Sequence, residues 1–182
     1  TRKLTKELNY FNISLHPIKF RKSGANYTVD KENRALYKGI ASIKFCNDTI
    51  AKELYALRDN KYDSFIDLLV DINDKTSVNS RQLEILVRLD FFSEFGEPNA
   101  LLKQIEVFNA IYGKKTAKKK DGRVYIGDYS LSYEIFISKV ADIINEKYKE
   151  SEKQIKGFSS LKFIKAVCNE IPYPPTTVMD KI

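Results

Sequence analysis

The sequence has few residues of the kinds that build metal sites or covalent chemistry. It contains two cysteines and one histidine in 182 residues. Cys46 and Cys168 lie far apart and match no metal-ligand or redox spacing, so we expect two reduced thiols. His16 has no partner in the sequence that would make it a catalytic base. Glycine-rich phosphate loops, Cys/His clusters and serine-triad spacings are also missing, so the sequence predicts no catalytic residue and no metal ligand.

Long apolar runs are missing as well. No stretch approaches the roughly 18 to 20 residues that a membrane helix needs, and no signal peptide is visible. The cysteine usage favours the cytoplasm. We therefore predict a cytoplasmic protein without a membrane partner. Because the chain starts at Thr1 rather than at methionine, and Ile182 follows a helix-like run, we also expect a fragment of a longer chain.

Charge is plentiful and unevenly distributed. The net charge is +7. Residues 1–22 carry six basic side chains against one acidic one, and residues 113–123 do the same, so the rest of the chain is mildly acidic. Two basic segments on such a body favour a polyanionic partner, because binding releases the condensed counterions of that partner.

The hydrophobic pattern predicts a mainly α fold, with α+β character only through a small N-terminal β element. Residues 9–37 are typical of short strands, including a strand, polar turn and strand over 21–39. Helical periodicity begins near Asp48 and continues through four helices to Gly113. The predicted caps and first-turn residues of these helices are Asp48 or Thr49, Asp63 or Ser64, Asn79 or Ser80, and Pro98.

The sequence after Gly113 changes character. Residues 113–123 predict a basic loop or a small hairpin, because Asp121-Gly122 is a strong turn signal. Residues 129–157 predict one long amphipathic helix, and residues 159–171 a last helix that ends at "PYPPTT". We therefore predict two regions, a helical module over 1–112 and an insertion or linker lobe over 113–182.

The stretch "YKGIASIKFCNDTIAKELYALRD" fits the plan of a helix–hairpin–helix motif. Residues 39–44 would form the first element, residues 45–48 the turn and residues 49–57 the second helix. Such a motif presents backbone N–H groups and a helix N-terminus to a phosphate, so it binds DNA without reading bases.

A wider series of segments resembles bacterial replicative DNA polymerases of the C family, the α subunit of DNA polymerase III. The series runs from an extended stretch with Pro17 through a "glycine-x-x-x-Ile-Lys" segment at Gly39–Lys44. It continues with a "Phe-x-Ser-x-x-Asp-Phe"-type segment at Tyr62–Leu69 and an "Asn-x-Arg-x-Leu" segment that begins at Asn79. The order and spacing of these segments agree with the family over roughly residues 9–112. In the family this stretch is the end of the fingers domain and the helix–hairpin–helix motif that follows it.

Two departures from this family bear on function. Where the family has glycines in the hairpin, this chain has residues 45–48, "FCND". Asn47 can adopt a left-handed conformation, whereas Asp48 places negative charge beside any phosphate. Asp90-Phe91-Phe92 replaces small residues of the family. The region after Gly113 has no counterpart there.

The resemblance implies a non-catalytic DNA-binding piece of a DNA-directed DNA polymerase, a nucleotidyltransferase of DNA replication. The catalytic aspartates of the parent, with their Mg, would precede Thr1, so this piece would hold no cofactor itself. Implied partners are template and primer DNA, the rest of the polymerase chain, and the sliding clamp or other replisome proteins. The predicted DNA-binding residues are Lys38, Lys44, Asn47, Thr49 and Lys52 at the hairpin, and Lys114, Lys115, Lys118, Lys119, Lys120 and Arg123 in the basic loop.

Two other hypotheses stay open. The missing glycines and Asp48 favour a structural or protein-interaction module of the replicase with little DNA binding of its own. An unrelated helical nucleic-acid-binding protein would share the pattern by chance. An enzyme in its own right has the least support.

Overall fold

The computed structural model describes residues 6–7, 10–127, 129–144 and 153–168. These residues divide into two compact units between Leu101 and Leu102. Among the described residues, no helix combines the length and the apolar character that crossing a bilayer requires.

The fold is α+β, so the mainly α prediction is wrong. Two sheets are present in the described part of the chain, one of three strands and one of four. Of the second sheet only a possible hairpin within residues 113–123 was predicted, since the sequence pattern assigned this region to a basic loop or hairpin and two helices. The three-stranded sheet is the small N-terminal β element that the pattern did predict.

The first unit opens with the three-stranded sheet. Its strands are β1 (Ser14–His16), β2 (Thr28–Asp30) and β3 (Ala35–Tyr37), in the order β1-β3-β2. β1 pairs with β3 in parallel and β2 pairs with β3 as a hairpin. The predicted strand, polar turn and strand are therefore confirmed.

Gly39 connects this sheet to the segment that follows it. A Cβ atom at this position would collide with the carbonyl oxygen of Ala25 and would lie 2.6 Å from the Cα of Asn26. The two backbones are also joined by hydrogen bonds, since the N–H groups of Ile40 and Ala41 donate to Gly24 O and Ala25 O at 2.9 and 3.0 Å. Glycine is needed here because two backbones approach closely.

Three helices follow, α1 (Asp48–Ala56), α2 (Phe65–Lys75) and α3 (Ser80–Arg88). Ser64 caps α2 and Asn79 caps α3, as predicted. The cap of α1 is Asn47, so the prediction of Asp48 or Thr49 was one to two residues late. Helical periodicity predicts apolar faces at Ile50, Ala51, Leu54, Tyr55 and Leu57, at Phe65, Leu68, Leu69 and Ile72, and at Leu83, Leu86 and Val87. All of these side chains are buried except Tyr55, which is half-buried.

An aromatic cluster closes the core after α3. The N–H of Phe91 donates to Leu86 O and the N–H of Asp90 to Val87 O, both at 3.1 Å, which is the Schellman pattern. Asp90 takes the positive φ of 62° that glycine usually supplies there. This turn directs Phe91 and Phe92 inward against Phe20, with ring centroids 5.9 and 5.7 Å from it.

Arg21 ties three parts of this unit together. Its guanidinium donates to the carbonyl oxygens of Arg58 and Asn60 at 2.6 and 2.5 Å and forms an ion pair with Glu94 at 3.0 Å. The loop after α1 is therefore fixed against the turn after α3. Arg21 belongs to the basic segment at residues 1–22, but its charge is used inside the fold.

α4 (Pro98–Ile111) carries the chain into the second unit, and Pro98 occupies its first position as predicted. The four-stranded sheet consists of β4 (Ala117–Lys120), β5 (Arg123–Ile126), β6 (Tyr129–Ser132) and β7 (Gln154–Ile155), in the order β6-β5-β4-β7. All its neighbours pair antiparallel. The predicted turn at Asp121-Gly122 is confirmed, and both residues have positive φ, 51° and 73°.

The single long helix predicted over 129–157 is wrong. β6 takes the first four residues, because Leu131 pairs with Val124 and both are buried in the sheet's inner face. Ser132 then caps α5 (Tyr133–Ile143), since its side chain accepts the N–H of Ile135. β7 takes Gln154 and Ile155.

The last helix is α6 (Ser160–Val167). Its buried Phe163 lies 6.3 Å from Phe136 of α5, measured between ring centroids. This pair and the inner face of the sheet form the core of the second unit. The predicted helix stop at "PYPPTT" lies outside the described residues.

Candidate nucleic-acid interface

The segment predicted as the first helix of the motif is a single 3-10 turn, Ile40–Ser42. The N–H and the hydroxyl group of Ser42 both donate to Gly39 O, at 3.3 and 2.7 Å. The chain then extends at Ile43 and runs through residues 44–47 into α1. The turn and the second helix lie where they were predicted, whereas the predicted first element is only a 3-10 turn.

The left-handed residue of this hairpin is Phe45, with φ of 71°. Asn47, which could have taken that role, is extended at φ −118° and ψ 175°. Gln82 holds the conformation of Phe45, because its Nε2 donates to Phe45 O at 2.8 Å. The adjacent Cys46 points into the core, and burial raises the pKa of its thiol.

The N-terminus of α1 offers donors to an anion. Asn47 Oδ1 accepts the N–H of Ile50 at 3.0 Å and so satisfies one donor of the first turn. The N–H groups of Asp48 and Thr49 have no acceptor among the described residues, and both residues are exposed. Open N–H groups and the helix dipole together favour a negative ligand. The carboxylate of Asp48 opposes that ligand by charge.

Three exposed lysines lie close to this helix end in the chain. Lys44 lies in the hairpin, Lys52 lies one turn into α1, and Lys38 follows β3. Within the described ranges, no carboxylate comes within ion-pairing distance of these three ammonium groups. The buried face of α1 is formed by Ile50, Ala51 and Leu54, so Thr49 and Lys52 lie on its solvent side.

Arg81 belongs to the same surface and was missed by the sequence reasoning. Its guanidinium carbon lies 3.9 Å from the centroid of the Phe45 ring, and Lys44 Nζ lies 5.1 Å from it. Arg81 stands one residue into α3, which the capping box of Asn79 and Gln82 fixes in place. The only sequence signal for it was its place in the "Asn-x-Arg" segment. We call Lys44, Phe45 and Arg81 the hairpin cluster.

The second unit carries its own basic face. Strand alternation and register place Lys118, Lys120, Arg123 and Tyr125 on the outer face of the four-stranded sheet. A depression of about 830 Å³ opens there. Its lining consists of Lys118, Lys119, Lys120, Asp121, Tyr125 and Lys153.

The other predicted residues of the basic loop are placed differently. Lys119 alternates to the inner side, where its Nζ lies 4.0 Å from the centroid of Tyr133. Lys114 and Lys115 are exposed in the connection between α4 and β4. The structure therefore places Lys118, Lys120 and Arg123 on one surface. Of the other predicted loop residues, Lys119 lies on the inner side of the sheet, and Lys114 and Lys115 precede β4.

A family model described as a helix-hairpin-helix motif matches residues 12–102, half of the chain. The chain belongs to the helix-hairpin-helix family. No curated protein and no solved structure matches the chain. Membership of this family indicates nucleic-acid binding in general, and the matched residues contain the hairpin, α1 and Arg81.

The first unit, which contains nearly all of the family match and is called the helix-hairpin-helix unit, has less free positive charge than its N-terminal sequence suggests. Arg21 is held by Glu94 and two carbonyl oxygens, and Lys22 Nζ lies 3.7 Å from Asp30. Hydrogen bonds from Asn33 chiefly lower the pKa of Asp30, and Lys22 lowers it further. The charges of Arg21 and Lys22 are therefore largely balanced within the fold.

The acidic residue Asp71 makes contacts that stabilise the helix-hairpin-helix unit. Asp71 accepts the Tyr62 hydroxyl at 2.7 Å and lies 3.4 Å from Lys75 Nζ. In the part of the chain that the structure describes, no three His, Cys, Asp or Glu side chains converge as a metal site would require.

Proposed function

We propose that this chain is a sequence-independent DNA-binding module of a replicative DNA polymerase α subunit, and that it binds template and primer DNA through the phosphate backbone. The observation that carries the proposal is the N-terminus of α1. The N–H groups of Asp48 and Thr49 are open there, and the exposed side chains of Lys44 and Lys52, four residues to either side of Asp48 along the chain, have no carboxylate partner among the described residues. Such an end binds a phosphate by hydrogen bonds and by charge.

Family membership and the ordered resemblance support the polymerase assignment. The helix-hairpin-helix match covers residues 12–102, and the resemblance to C-family polymerases covers roughly the same part of the chain. In this proposal the module only binds DNA. The Mg-dependent chemistry belongs to the palm domain of the polymerase, and this chain contributes no catalytic group to it.

The outer face of the second unit adds a second backbone contact in this proposal. Lys118, Lys120 and Arg123 face solvent from neighbouring strands, and the Arg123 guanidinium is oriented by Ser130 Oγ at 3.2 Å. A face of this charge suits phosphates at any sequence, because it offers no groove-reading helix. Lys114 and Lys115 would extend the same contact.

The test is fluorescence anisotropy of the chain with a labelled primer–template, repeated across salt concentrations. We expect affinity to fall steeply with salt, with about 0.7 to 0.9 units of log–log slope for each phosphate contacted. The double variant Lys44→Glu and Lys52→Glu should weaken binding several-fold at low salt. Lys31→Glu with Lys61→Glu is the matched control, since it reverses two exposed charges on other loops of the unit.

Equal losses for the two double variants would remove the hairpin from the DNA site and leave a general effect of net charge. Binding that is absent at low salt would overturn the proposal. It would then favour a structural or protein-interaction module, a candidate that the exposed carboxylate of Asp48 in the first turn of α1 supports.

A further inference from the structure

We infer that Phe45 is a stacking platform for an unpaired base, so that the hairpin takes single-stranded or locally opened nucleic acid in preference to an intact duplex. The inference rests on the proposed function and names its ligand more closely. It concerns the hairpin cluster of Lys44, Phe45 and Arg81.

The backbone at Phe45 is adapted to present its ring. A φ of 71° is disfavoured for a bulky residue, and glycine would adopt it without strain. Gln82 nevertheless fixes this conformation through the hydrogen bond to Phe45 O, and Gln82 is only 9% exposed. A strained residue held this firmly is the kind of feature that accompanies a binding role.

The side chain of Phe45 is exposed to solvent instead of lying in the core. Phe45 is 48% exposed, whereas the neighbouring Cys46 is buried. The left-handed turn thus places the thiol in the core and leaves the larger apolar group in solvent. Burial of the ring would be favourable, so its exposure leaves an aromatic surface available to a ligand.

The cations around the ring indicate the chemistry of that ligand. Arg81 lies 3.9 Å from the ring centroid and Lys44 lies 5.1 Å from it. An apolar protein surface would have to desolvate both charges on docking. A nucleotide has a flat base for the ring and the guanidinium plane, and phosphates for both cations.

The aromatic ring and the open N–H groups of the hairpin follow one another in the chain, as a base and its phosphate do in a nucleotide. Phe45 precedes the cap residue Asn47 by two positions, and the open N–H groups follow at Asp48 and Thr49. A phosphate at the start of α1 would therefore bring its own or the adjacent base to the hairpin cluster. In a duplex the bases are stacked inside, so only an unpaired base can use the ring.

The experiment uses the lack of tryptophan in the chain. Phe45→Trp introduces the sole indole of the protein and keeps an aromatic ring at this position. We expect its fluorescence to be quenched by single-stranded oligo-dT and little changed by a blunt duplex of the same length. Anisotropy titrations should show that Phe45→Leu lowers affinity for oligo-dT about tenfold and leaves duplex affinity unchanged. Tyr27→Leu is the matched control, because Tyr27 is an exposed aromatic residue of the same unit, at 50%, and lies outside both proposed contacts.

The outcomes distinguish the stacking role of Phe45 from the proposed DNA binding. Equal quenching by both nucleic acids, or equal losses of affinity for both in Phe45→Leu, would overturn the stacking role while the DNA-binding proposal stands. An equal loss of oligo-dT affinity in Tyr27→Leu would indicate a general effect of removing an exposed aromatic side chain and would overturn that role as well. Binding of neither nucleic acid by the unmodified chain would overturn the proposed function and this inference together.

Discussion

Gln82 connects the third helix of the helix-hairpin-helix unit to the hairpin. Its Oε1 accepts the N–H of Asn79 at 3.0 Å, and its Nε2 donates to the carbonyl oxygen of Phe45 at 2.8 Å. The first bond completes the capping box of α3. The second fixes a residue 37 positions earlier in the chain. One amide thus begins a helix and holds the conformation of the proposed base-binding residue.

Gln82→Glu separates these two roles. Glutamate at this position keeps the capping box and suits the helix dipole, so local rules alone predict no loss of stability. A carboxylate cannot donate to Phe45 O, however, and would face it with a second acceptor in a buried place. We expect the free energy of unfolding to fall by about 1 to 3 kcal/mol.

Urea denaturation measures that change. Glu84→Gln is the control, because it makes the opposite replacement two residues further along α3 and loses only the exposed ion pair with Arg88 at 3.0 Å. The control should cost no more than about 0.5 kcal/mol. Unchanged stability of Gln82→Glu would mean that the contact with Phe45 does not hold the hairpin.

Local rules predicted much of the helix-hairpin-helix unit. The caps Ser64 and Asn79, the first-turn Pro98 and the buried faces of α1 to α3 all follow from short-range periodicity and side-chain chemistry. The Asp121-Gly122 turn is a signal of the same kind. In each case the physical cause lies within a few residues of the feature that it produces.

Features with distant causes were not predictable in this way. β6 and β7 form because they pair with β5 and β4. The local sequence around Leu131 is compatible with a helix as well as with a strand. The contacts of Arg21 with Arg58 and Glu94 bridge 37 and 73 positions. The site shows the same limit, since Lys44 was found from its neighbours in sequence, whereas Arg81 meets Phe45 only through the packing of α3.

The carboxylate of Asp48 should limit nucleic-acid affinity. It is exposed in the first turn of α1, beside the N–H groups proposed to bind phosphate. Asp48→Asn removes its charge and keeps its size, so we expect DNA affinity at low salt to rise several-fold. The helix loses a favourable dipole interaction, and stability should fall by about 0.3 to 1 kcal/mol.

Anisotropy titration at low salt measures this gain. Asp63→Asn is the matched control, because Asp63 is exposed directly before the cap of α2 and its replacement makes the same change in net charge. An equal rise in both variants would indicate net charge alone. A fall in affinity for Asp48→Asn would place the phosphate elsewhere.

Stability should respond to alkaline pH through Tyr62. Burial chiefly raises the pKa of its phenol above the ordinary value of 10.0, and the hydrogen bond to Asp71 raises it further. In the unfolded chain the phenol therefore ionises first, so the native state loses stability as pH rises through the unfolded value and towards the folded one. Tyr62→Phe should cost about 1 kcal/mol at neutral pH, and that difference should narrow above pH 10.

Urea midpoints between neutral pH and strongly alkaline pH provide the measurement. Tyr55→Phe is the control at neutral pH, because its hydroxyl makes no hydrogen bond with the described residues, and it should leave stability nearly unchanged. A cost of Tyr62→Phe that stays constant at high pH would contradict the linkage between its pKa and the folded state.

The outer face of the second unit should contribute to the salt dependence of binding. Lys118→Gln with Lys120→Gln removes two cations that the register places on that face. If each contacts one phosphate, the log–log slope of affinity against salt should fall by about 1.4 to 1.8 units. Lys119→Gln is the control, because that side chain lies on the inner side over Tyr133 and should change the slope by less than either outer lysine does. A slope that the double variant leaves unchanged would remove Lys118 and Lys120 from the phosphate contacts, because the slope counts only cations that neutralise a phosphate.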